Sequence, residues 1–228
     1  MSRRRRSRVC RAVVSLAALV LVGSGVNSAA QAGGWPEAVP VVSRVETDEA
    51  VVFITVDDGW YRDAGARRVL LEERVPASLF LLPQAYEQEP GFFQGLLNGG
   101  PSRMENHTVN HPDLRQLDAA GQRAELCGAR DRNLAAVGDA PRLVRPPYGL
   151  YDERTLVAAR QCGAKALVTW THDFTGVGER EGETPELRAG DIVLLHFTPT
   201  LEADLRRTLE AARAAGLKPA QLRDHVGE

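Results

Sequence analysis

Short apolar runs alternate with helical segments along this 228-residue chain, and no other sequence feature constrains the fold as strongly. The runs are rich in β-branched residues, whereas the segments between them repeat apolar residues every three or four positions. We predict strands at residues 41–45, 51–56, 77–82, 103–106, 143–145, 164–170 and 191–196. We predict helices at residues 64–73, 90–98, 118–137, 152–161 and 201–215, the third with Asp118 as its N-cap. Strands that alternate with helices build a parallel sheet, so the pattern predicts an α/β fold.

The number of predicted strands limits the architecture further. Six or seven strands are too few for a closed eightfold barrel, so we expect an incomplete or distorted (β/α) barrel of six to seven parallel strands. The first two strands are separated only by the polar residues 46–49. Such a short polar connection predicts a short N-terminal β-hairpin.

Residues 1–32 have the pattern of an export signal. Six arginines precede the apolar residues 12–22, and Ala30-Gln31-Ala32 provides a cleavage site of the A-x-A type. The apolar run of 11 residues is shorter than the stretch of about 20 that spans a bilayer. We therefore expect a secreted protein, extracellular or in the cell envelope, whose folded domain is residues 33–228. An uncleaved signal would instead tether this domain to a membrane.

Removal of the signal changes both the charge and the cysteine count of the chain. The signal holds six of the 28 basic side chains and none of the 30 acidic ones, so the remaining domain is clearly acidic. An acidic domain is not expected to bind nucleic acid, and we expect a monomer. Cys10 leaves with the signal, while Cys127 and Cys162 lie on neighbouring predicted helices. In an oxidising compartment we expect these two to form a disulfide; the alternative is a pair of buried free thiols.

Two adjacent carboxylates follow the second predicted strand. Asp57 and Asp58, with Gly59 after them, lie at the carboxyl end of the strand, where the sites of α/β proteins are built. Neighbouring side chains of a strand point in opposite directions, so one acid can bind a cation while the other holds a proton or activates water. Taken alone, the three residues favour an ordinary acidic turn over a functional site.

Further polar groups follow other predicted strands. His107 and His111 are four residues apart, which would place both imidazoles on one face of a helical turn and within reach of one metal ion. With one aspartate they form a three-ligand set that leaves a coordination position open, as in catalytic metal sites. Arg145, in a loop stiffened by two prolines, can hold a carboxylate ionised. His196 ends the last predicted strand, as either an acid–base group or a core histidine with satisfied hydrogen bonds.

In this order and content, the chain resembles the polysaccharide deacetylases with a NodB homology domain, carbohydrate esterase family 4. Residues 55–59 (TVDDG) resemble the first motif of the family, T-F-D-D-G, and residues 107–111 (HTVNH) resemble the second, H-[ST]-x-x-H. Residues 145–148 (RPPY) resemble the third, R-x-P-[YF], and residues 194–196 (LLH) resemble the fifth, L-x-H. The resemblance extends from about residue 41 to about residue 222 and therefore covers nearly the whole domain.

The resemblance implies a metal centre with a base beside it. Asp58, His107 and His111 would bind one divalent metal ion, most often zinc in this family. Asp57 would be the general base that deprotonates the attacking water, and Arg145 would orient Asp57.

The resemblance also implies the groups that handle the substrate. The backbone N–H of Tyr148 would stabilise the oxyanion, and Leu195 would line the pocket for the acetyl methyl group. His196 would protonate the leaving amine, because an amine leaves poorly unless it is protonated.

Two departures from the family pattern affect these roles. Trp60 stands where the family has a proline, and it is either a platform for sugar stacking or a covered aromatic residue. The fourth motif, D-x-x-D-W, is incomplete, because Asp173 matches its first aspartate but Gly176 stands at the second. In the family that second aspartate tunes the acid histidine; Asp173 and His172 are two candidates to substitute for it beside His196, and the sequence does not decide which residue does so.

The resemblance predicts a metal-dependent hydrolase that removes N-acetyl, or O-acetyl, groups from a polysaccharide such as peptidoglycan or a chitin-like polymer. Two other interpretations stay open. The incomplete fourth motif is compatible with a glycan-binding domain of the same fold with impaired catalysis. The same fold can also hydrolyse a non-sugar amide.

Overall fold

The computed structural model describes residues 38–176 and 184–226. The export signal predicted at residues 1–32 lies outside these ranges. Within them, strands and helices alternate along the chain, and every strand pairing is parallel. The sheet is curled into an incomplete barrel, which confirms the predicted fold class.

The described residues form nine strands, two more than predicted. They are β1 (Val41–Val42), β2 (Val51–Asp58), β3 (Ser78–Leu81), β4 (Arg103–Asn106), β5 (Leu143–Val144), β6 (Ala166–Val168), β7 (His172–Asp173), β8 (Ile192–His196) and β9 (Lys218–Pro219). Their order in the sheet is β1-β6-β5-β4-β3-β2-β8-β7, and β9 pairs with the beginning of β2. The additional strands, β7 and β9, have two residues each, which is too short for an apolar pattern to show in the sequence.

In the described part of the chain, six helices cover the outer face of the sheet or connect its strands. They are α1 (Ala64–Glu72), α2 (Pro83–Gln88), α3 (Pro90–Gly99), α4 (Ala119–Val137), α5 (Glu153–Gln161) and α6 (Leu201–Ala214), and the short α2 was not predicted. Three 3-10 turns are found at Leu114–Gln116, Pro147–Gly149 and Leu222–Asp224. The predicted N-cap of α4 is confirmed, because the Asp118 carboxylate accepts a hydrogen bond of 2.8 Å from the Gly121 N–H.

The predicted N-terminal β-hairpin is wrong. β1 pairs with β6, with Val41 opposite Leu167, while β2 lies between β3 and β8. Both edges of β2 are therefore occupied by buried strands, and no edge is left for β1. The residues after β1 instead cross to the start of β8, where Arg44 forms an antiparallel bridge with Asp191. A short polar connection is thus used here to span the open side of the incomplete barrel.

Alternation along β2 divides the core into two layers. Ile54 and Val56 face the helices and pack in a cluster that includes Val69 of α1 and Leu205 of α6. Phe53 faces the inside of the curled sheet, in a second cluster with Phe80. Thr55 and Asp57 follow Phe53 at intervals of two, so they share its inward face.

A disulfide joins two helices on the outside of the sheet. Cys127 of α4 and Cys162, the C-cap of α5, are bonded with an S–S distance of 2.06 Å, which confirms the predicted pair. The alternative of two free thiols is therefore wrong. Within residues 38–176 and 184–226, no helix has both the length and the apolar character that crossing a bilayer requires.

Candidate functional site

Four strands deliver polar side chains to one edge of the sheet. Asp57 and Asp58 end β2, His107 follows β4, Arg145 follows β5, and His196 ends β8. Because all of these strands are parallel, their carboxyl ends lie at the same edge. The structure therefore brings together the residues that the sequence placed at strand ends.

Asp58, His107 and His111 converge at this edge. One ligand atom from each lies within 4.8 Å of the others. Oδ1 of Asp58 is 3.4 Å from Nε2 of His107 and 3.6 Å from Nε2 of His111. These two separations are longer than ordinary hydrogen bonds.

The second motif is not a helical turn, contrary to the prediction. Residues 107–113 form a loop between β4 and a 3-10 turn, and the backbone of Thr108 (φ 69°) and His111 (φ 57°) is left-handed. This conformation is unfavourable for residues with a side chain, so surrounding contacts must hold it. It folds the loop back on itself and brings the two imidazole rings edge to face, with 4.8 Å between their centroids.

Glu125 of α4 holds this loop in place. Its carboxylate accepts hydrogen bonds of 2.9 Å from the N–H groups of Val109 and Asn110, and one of 2.7 Å from the Asn110 side chain. The Thr108 hydroxyl accepts a further bond of 3.1 Å from the His111 N–H. The position of His111 relative to His107 is therefore set by a helix more than a dozen residues away in sequence.

The hydrogen bond of His107 determines which of its nitrogens faces Asp58. Nδ1 lies 2.8 Å from the carbonyl oxygen of Arg145, so Nδ1 carries the proton and donates it. Nε2 is left to face Asp57 and Asp58. Burial lowers the pKa of His107, but the charge of Asp57 and the close approach of Asp58 outweigh burial and raise the pKa above its ordinary value.

Asp58, His107 and His111 are called the triad below. Its other two members, Asp58 and His111, have lowered pKa values. Burial raises the pKa of Asp58, but His107 and the charges of His196 and His111 outweigh this and hold the pKa below its ordinary value. Burial lowers the pKa of His111, and the neighbouring His107 lowers it further. A carboxylate and a neutral imidazole are the forms in which these side chains bind metals.

The triad fits a small divalent cation. Oδ1 of Asp58 is buried and, among the described residues, has no hydrogen-bond partner. Ligand atoms about 2.0–2.1 Å from a tetrahedral zinc ion lie about 3.4 Å from one another, close to the two separations measured from this oxygen. Nitrogen and carboxylate oxygen are ligands that zinc accepts, and a set of three leaves one position open.

Arg145 fixes the second carboxylate of the pair. Its Nη1 donates to Oδ1 of Asp57 at 2.8 Å and to the Thr55 hydroxyl at 2.7 Å, and the guanidinium lies over the Phe80 ring, 4.3 Å from its centroid. Arg145 is completely buried. This burial lowers the pKa of its guanidinium and outweighs the negative charge of Asp57, which raises that pKa. With Oδ1 held in this way, Oδ2 of Asp57 faces the triad, 3.7 Å from Nε2 of His107.

His196 lies beside Asp57, because the two residues are opposite each other across β2 and β8. Its Nδ1 is 2.8 Å from the hydroxyl of Thr175. Neither Asp173 nor His172, the two candidates that the sequence offered, is the hydrogen-bond partner of His196. Asp173 accepts from the Thr175 N–H at 2.9 Å, and His172 pairs with Asp191 at the far end of β8, at 3.2 Å.

Leu195 does not face the site. It is completely buried and belongs to the cluster between the sheet and the helices, together with Val56. Its assignment to the acetyl-methyl pocket is therefore wrong. Leu194 shares the inward face with His196, because the two residues are separated by one position along β8. The period-two alternation of the strand was sufficient to find Leu194 in the sequence.

Aromatic side chains surround the site. Trp60 is 44% exposed, directly after the aspartate pair and Gly59, which excludes the alternative of a covered aromatic residue. Tyr148 is 63% exposed and packs edge to face on His111, with 4.7 Å between ring centroids. The backbone of Tyr148 is left-handed (φ 60°), in the 3-10 turn that follows Arg145.

Sequence reasoning missed Thr55, Glu125 and Thr175. Thr55 lies in the first motif, two positions before Asp57, so strand alternation would have placed it on the same face. Glu125 and Thr175 had no such signal, because each reaches the site only through the packing of a distant segment.

This chain is similar in sequence and in fold to known proteins. The family described as polysaccharide deacetylase matches residues 44–167, which contain Asp57, the triad and Arg145. An uncharacterized protein of Streptomyces coelicolor is 39% identical over 193 residues, or 82% of this chain and 77% of that protein. A chitooligosaccharide deacetylase of Bradyrhizobium is 30% identical over 154 residues, or 64% of this chain and 69% of that protein. A solved family 4 carbohydrate esterase from Bacillus anthracis has a similar fold, with a TM-score of 0.69, 23% identity, and coverage of 81% of this chain and 86% of that one.

Proposed function

The chain belongs to the polysaccharide deacetylase family, and on that premise we propose that it is a secreted, metal-dependent enzyme that removes acetyl groups from a polysaccharide. The bond cleaved is the amide of an N-acetyl sugar, in a polymer such as peptidoglycan or a chitin-like chain, with O-acetyl esters as the alternative. The observation that carries the proposal is the convergence of three metal-binding side chains with Asp57 and His196 at one edge of the sheet.

Asp58, His107 and His111 would hold the metal ion, zinc in our proposal. When bound, a divalent ion supplies a Lewis acid and lowers the pKa of water to about 7. The chain's own contribution is to hold the three ligands in place, through the Arg145 carbonyl on His107 and Glu125 on the loop before His111.

Asp57 is the general base. Arg145 occupies Oδ1 and favours the ionised form, because an adjacent positive charge stabilises a carboxylate. Oδ2 faces the triad and can take a proton from the attacking water. The ion pair thus separates two tasks, since one oxygen orients the side chain and the other does the chemistry.

His196 is the general acid for the leaving amine. It is in register with Asp57 on the neighbouring strand, so base and acid lie next to each other on two rigid strands. With Nδ1 directed to Thr175, Nε2 is the nitrogen that can give a proton to the substrate.

Three residues near this pair would contact the substrate. We assign the oxyanion to the backbone N–H of Tyr148, the acetyl methyl group to the inward-facing Leu194, and a sugar ring to Trp60. The exposed indole of Trp60 supports its assignment, because exposed aromatic faces bind the apolar faces of sugars.

Secretion is supported by the disulfide between Cys127 and Cys162. Disulfides persist in oxidising compartments and are rare in the reducing cytosol. The export signal predicted at residues 1–32 agrees with this compartment. Mass spectrometry of the protein recovered from culture medium tests it, and an intact N-terminus in a cell-associated protein would contradict it.

The decisive experiment is acetate release from N-acetylglucosamine oligomers by the purified protein, with and without chelator. We expect activity that chelator abolishes and that zinc restores. Asp57→Asn should remove activity while zinc still binds, whereas His111→Gln should remove both. His225→Gln is the matched control, because His225 lies on the C-terminal 3-10 turn against Phe53, away from the triad.

Other outcomes would assign a different function. Binding of the oligomers without acetate release under any divalent metal would mean a glycan-binding domain. Turnover of a non-sugar acetamide at a higher kcat/KM than the oligomers would mean an amidase of another substrate class. Full activity in chelator would contradict the role of the triad.

A further inference from the structure

The hydrogen-bond partner of His196 differs from the carboxylate that the sequence motifs predict. Nδ1 of His196 lies 2.8 Å from Oγ1 of Thr175, the second residue after β7. In the protonated form of His196, Nδ1 carries a proton that the hydroxyl accepts, so the hydroxyl orients the ring as a carboxylate would, but it brings no negative charge. The remaining nitrogen, Nε2, therefore has a fixed direction.

Thr175 is itself held firmly. Its N–H donates a hydrogen bond of 2.9 Å to the Asp173 carboxylate. The preceding residue, Phe174, is completely buried, and its N–H donates to the carbonyl of Leu194. The next residue, Gly176, donates its N–H to Asp204 of α6 at 2.8 Å. The turn that carries the hydroxyl is thus fixed between two carboxylates, one on β7 and the other on α6.

These two carboxylates orient backbone N–H groups of the turn. Oδ1 of Asp173 is directed to the backbone of Thr175, and Oδ2 of Asp204 to the backbone of Gly176 and the hydroxyl of Thr200. Among the residues that the structure describes, the charged and titratable groups on the elements around His196 include Asp57 and Asp58 of β2, His107 and His111 after β4, Arg145 after β5, Asp173 of β7 and Asp204 of α6. The group in direct contact with Nδ1 is nevertheless the hydroxyl.

We propose that Thr175 is the positioning residue of the acid catalyst, and that its neutral hydroxyl makes His196 a stronger acid than a carboxylate at the same place would. A carboxylate on Nδ1 stabilises the imidazolium and raises its pKa, whereas a hydroxyl does so much less. A stronger acid gives its proton to the leaving amine more readily, but it is protonated over a narrower pH range. The catalytic consequence of this inference rests on the proposed function. Its consequence for the pKa of His196 rests only on the contact between Thr175 and His196.

The test is a set of three substitutions at one position. Thr175→Ser keeps the hydroxyl, Thr175→Val keeps the shape and removes the acceptor, and Thr175→Asp supplies a carboxylate. The pKa of His196 is measured by NMR titration of the histidine ring carbons in the metal-free protein, and its signal is assigned by its loss in His196→Gln. The pH dependence of kcat is measured on the zinc-loaded enzyme with N-acetylglucosamine oligomers.

We expect Thr175→Asp to raise the pKa of His196 by about 1 unit or more and to move the basic limb of the kcat profile upward by the same amount. We expect Thr175→Val to lower kcat about tenfold with little change in KM, and Thr175→Ser to stay within about threefold of the wild-type kcat. Thr198 lies two positions after His196, and its hydroxyl is hydrogen-bonded to that of Thr200. Thr198→Val removes this hydroxyl and should leave the pKa of His196 unchanged.

Two results would overturn the proposal. One is a titration of His196 that is the same in Thr175→Asp as in the wild type, with both variants folded by circular dichroism. The other is a Thr175→Val enzyme with unchanged kcat and an unchanged pH profile. A wild-type protein that releases no acetate contradicts the proposed function instead, and the NMR titration still decides whether Thr175 controls the acidity of His196.

Discussion

Nη1 of Arg145 lies 2.8 Å from Oδ1 of Asp57, and neither side chain is more than 3% exposed to solvent. The pair is therefore screened little by water, and each charge depends on the other. Removal of one partner from a buried pair leaves an uncompensated charge in the interior. The same contact that orients the proposed base is thus also a stability element.

We expect Arg145→Met to lower the free energy of unfolding by about 3–5 kcal/mol, because Asp57 then stays buried without its partner. Urea denaturation measures the change. The double variant Asp57→Asn/Arg145→Met should lose less than the sum of the two single variants. Arg206→Met is the control; it breaks an exposed pair with Glu202 and should leave the free energy of unfolding nearly unchanged. Additive single effects at Asp57 and Arg145 would contradict the coupling.

Glu125 is expected to control metal affinity without touching the triad. Glu125→Ala removes the acceptor of two backbone N–H groups in the loop between His107 and His111, so the ligands lose their fixed geometry. We expect zinc affinity to fall by about 10–100-fold, as for other residues that support metal ligands. Competition with a chromophoric chelator measures the affinity. Glu210→Ala, an exposed change on α6, should leave it unchanged, and equal affinities in all three proteins would refute the role of Glu125.

The disulfide between α4 and α5 is expected to contribute about 4 kcal/mol to stability. Cys127 and Cys162 are 35 residues apart, and closing a loop of this length restricts the unfolded chain by about that free energy. Reductant should lower the urea midpoint of the wild type to that of the double variant Cys127→Ala/Cys162→Ala. Reductant should have no effect on the double variant itself. A wild-type midpoint that does not respond to reductant would exclude this contribution.

Asp152 gives α5 a pH-dependent N-cap. Burial raises its pKa, but hydrogen bonds from Arg154, Thr155 and Gln122 outweigh this, so the folded pKa lies below the ordinary value. A lowered pKa adds stability that is complete above the unfolded value of about 4 and is lost as pH falls through the folded value. We expect Asp152→Ala to cost about 1 kcal/mol at pH 7 and less below pH 3.

Urea denaturation of both proteins across this pH range measures the Asp152 effect. Asp48→Ala, a change at an exposed residue before β2, provides the comparison for a surface carboxylate. A cost for Asp152→Ala that stays constant from pH 7 to pH 3 would show that the charge has no part in the cap.

Most of the fold could be predicted from the sequence, because the patterns that indicate strands and helices are local. Each long strand is an apolar run and each long helix an amphipathic segment, so element order and fold class follow from residues close together in the chain. The predicted hairpin shows where local signals end. The connection after β1 is short and polar, but the partner of β1 was decided by β3 and β8, which occupy both edges of β2.

The sequence by itself determined the candidate residues for the chemistry: the aspartate pair, the two histidines, Arg145 and His196, each at or shortly after the carboxyl end of a strand. Only the tertiary structure decided how they are held and which neighbours tune them. The left-handed loop from His107 to His111 depends on Glu125 of a distant helix, and the orientation of the His196 ring depends on a hydroxyl that the turn after β7 brings beside β8. Strand ends are specified by local composition, whereas the contacts between them exist only after the sheet has curled and its segments have packed.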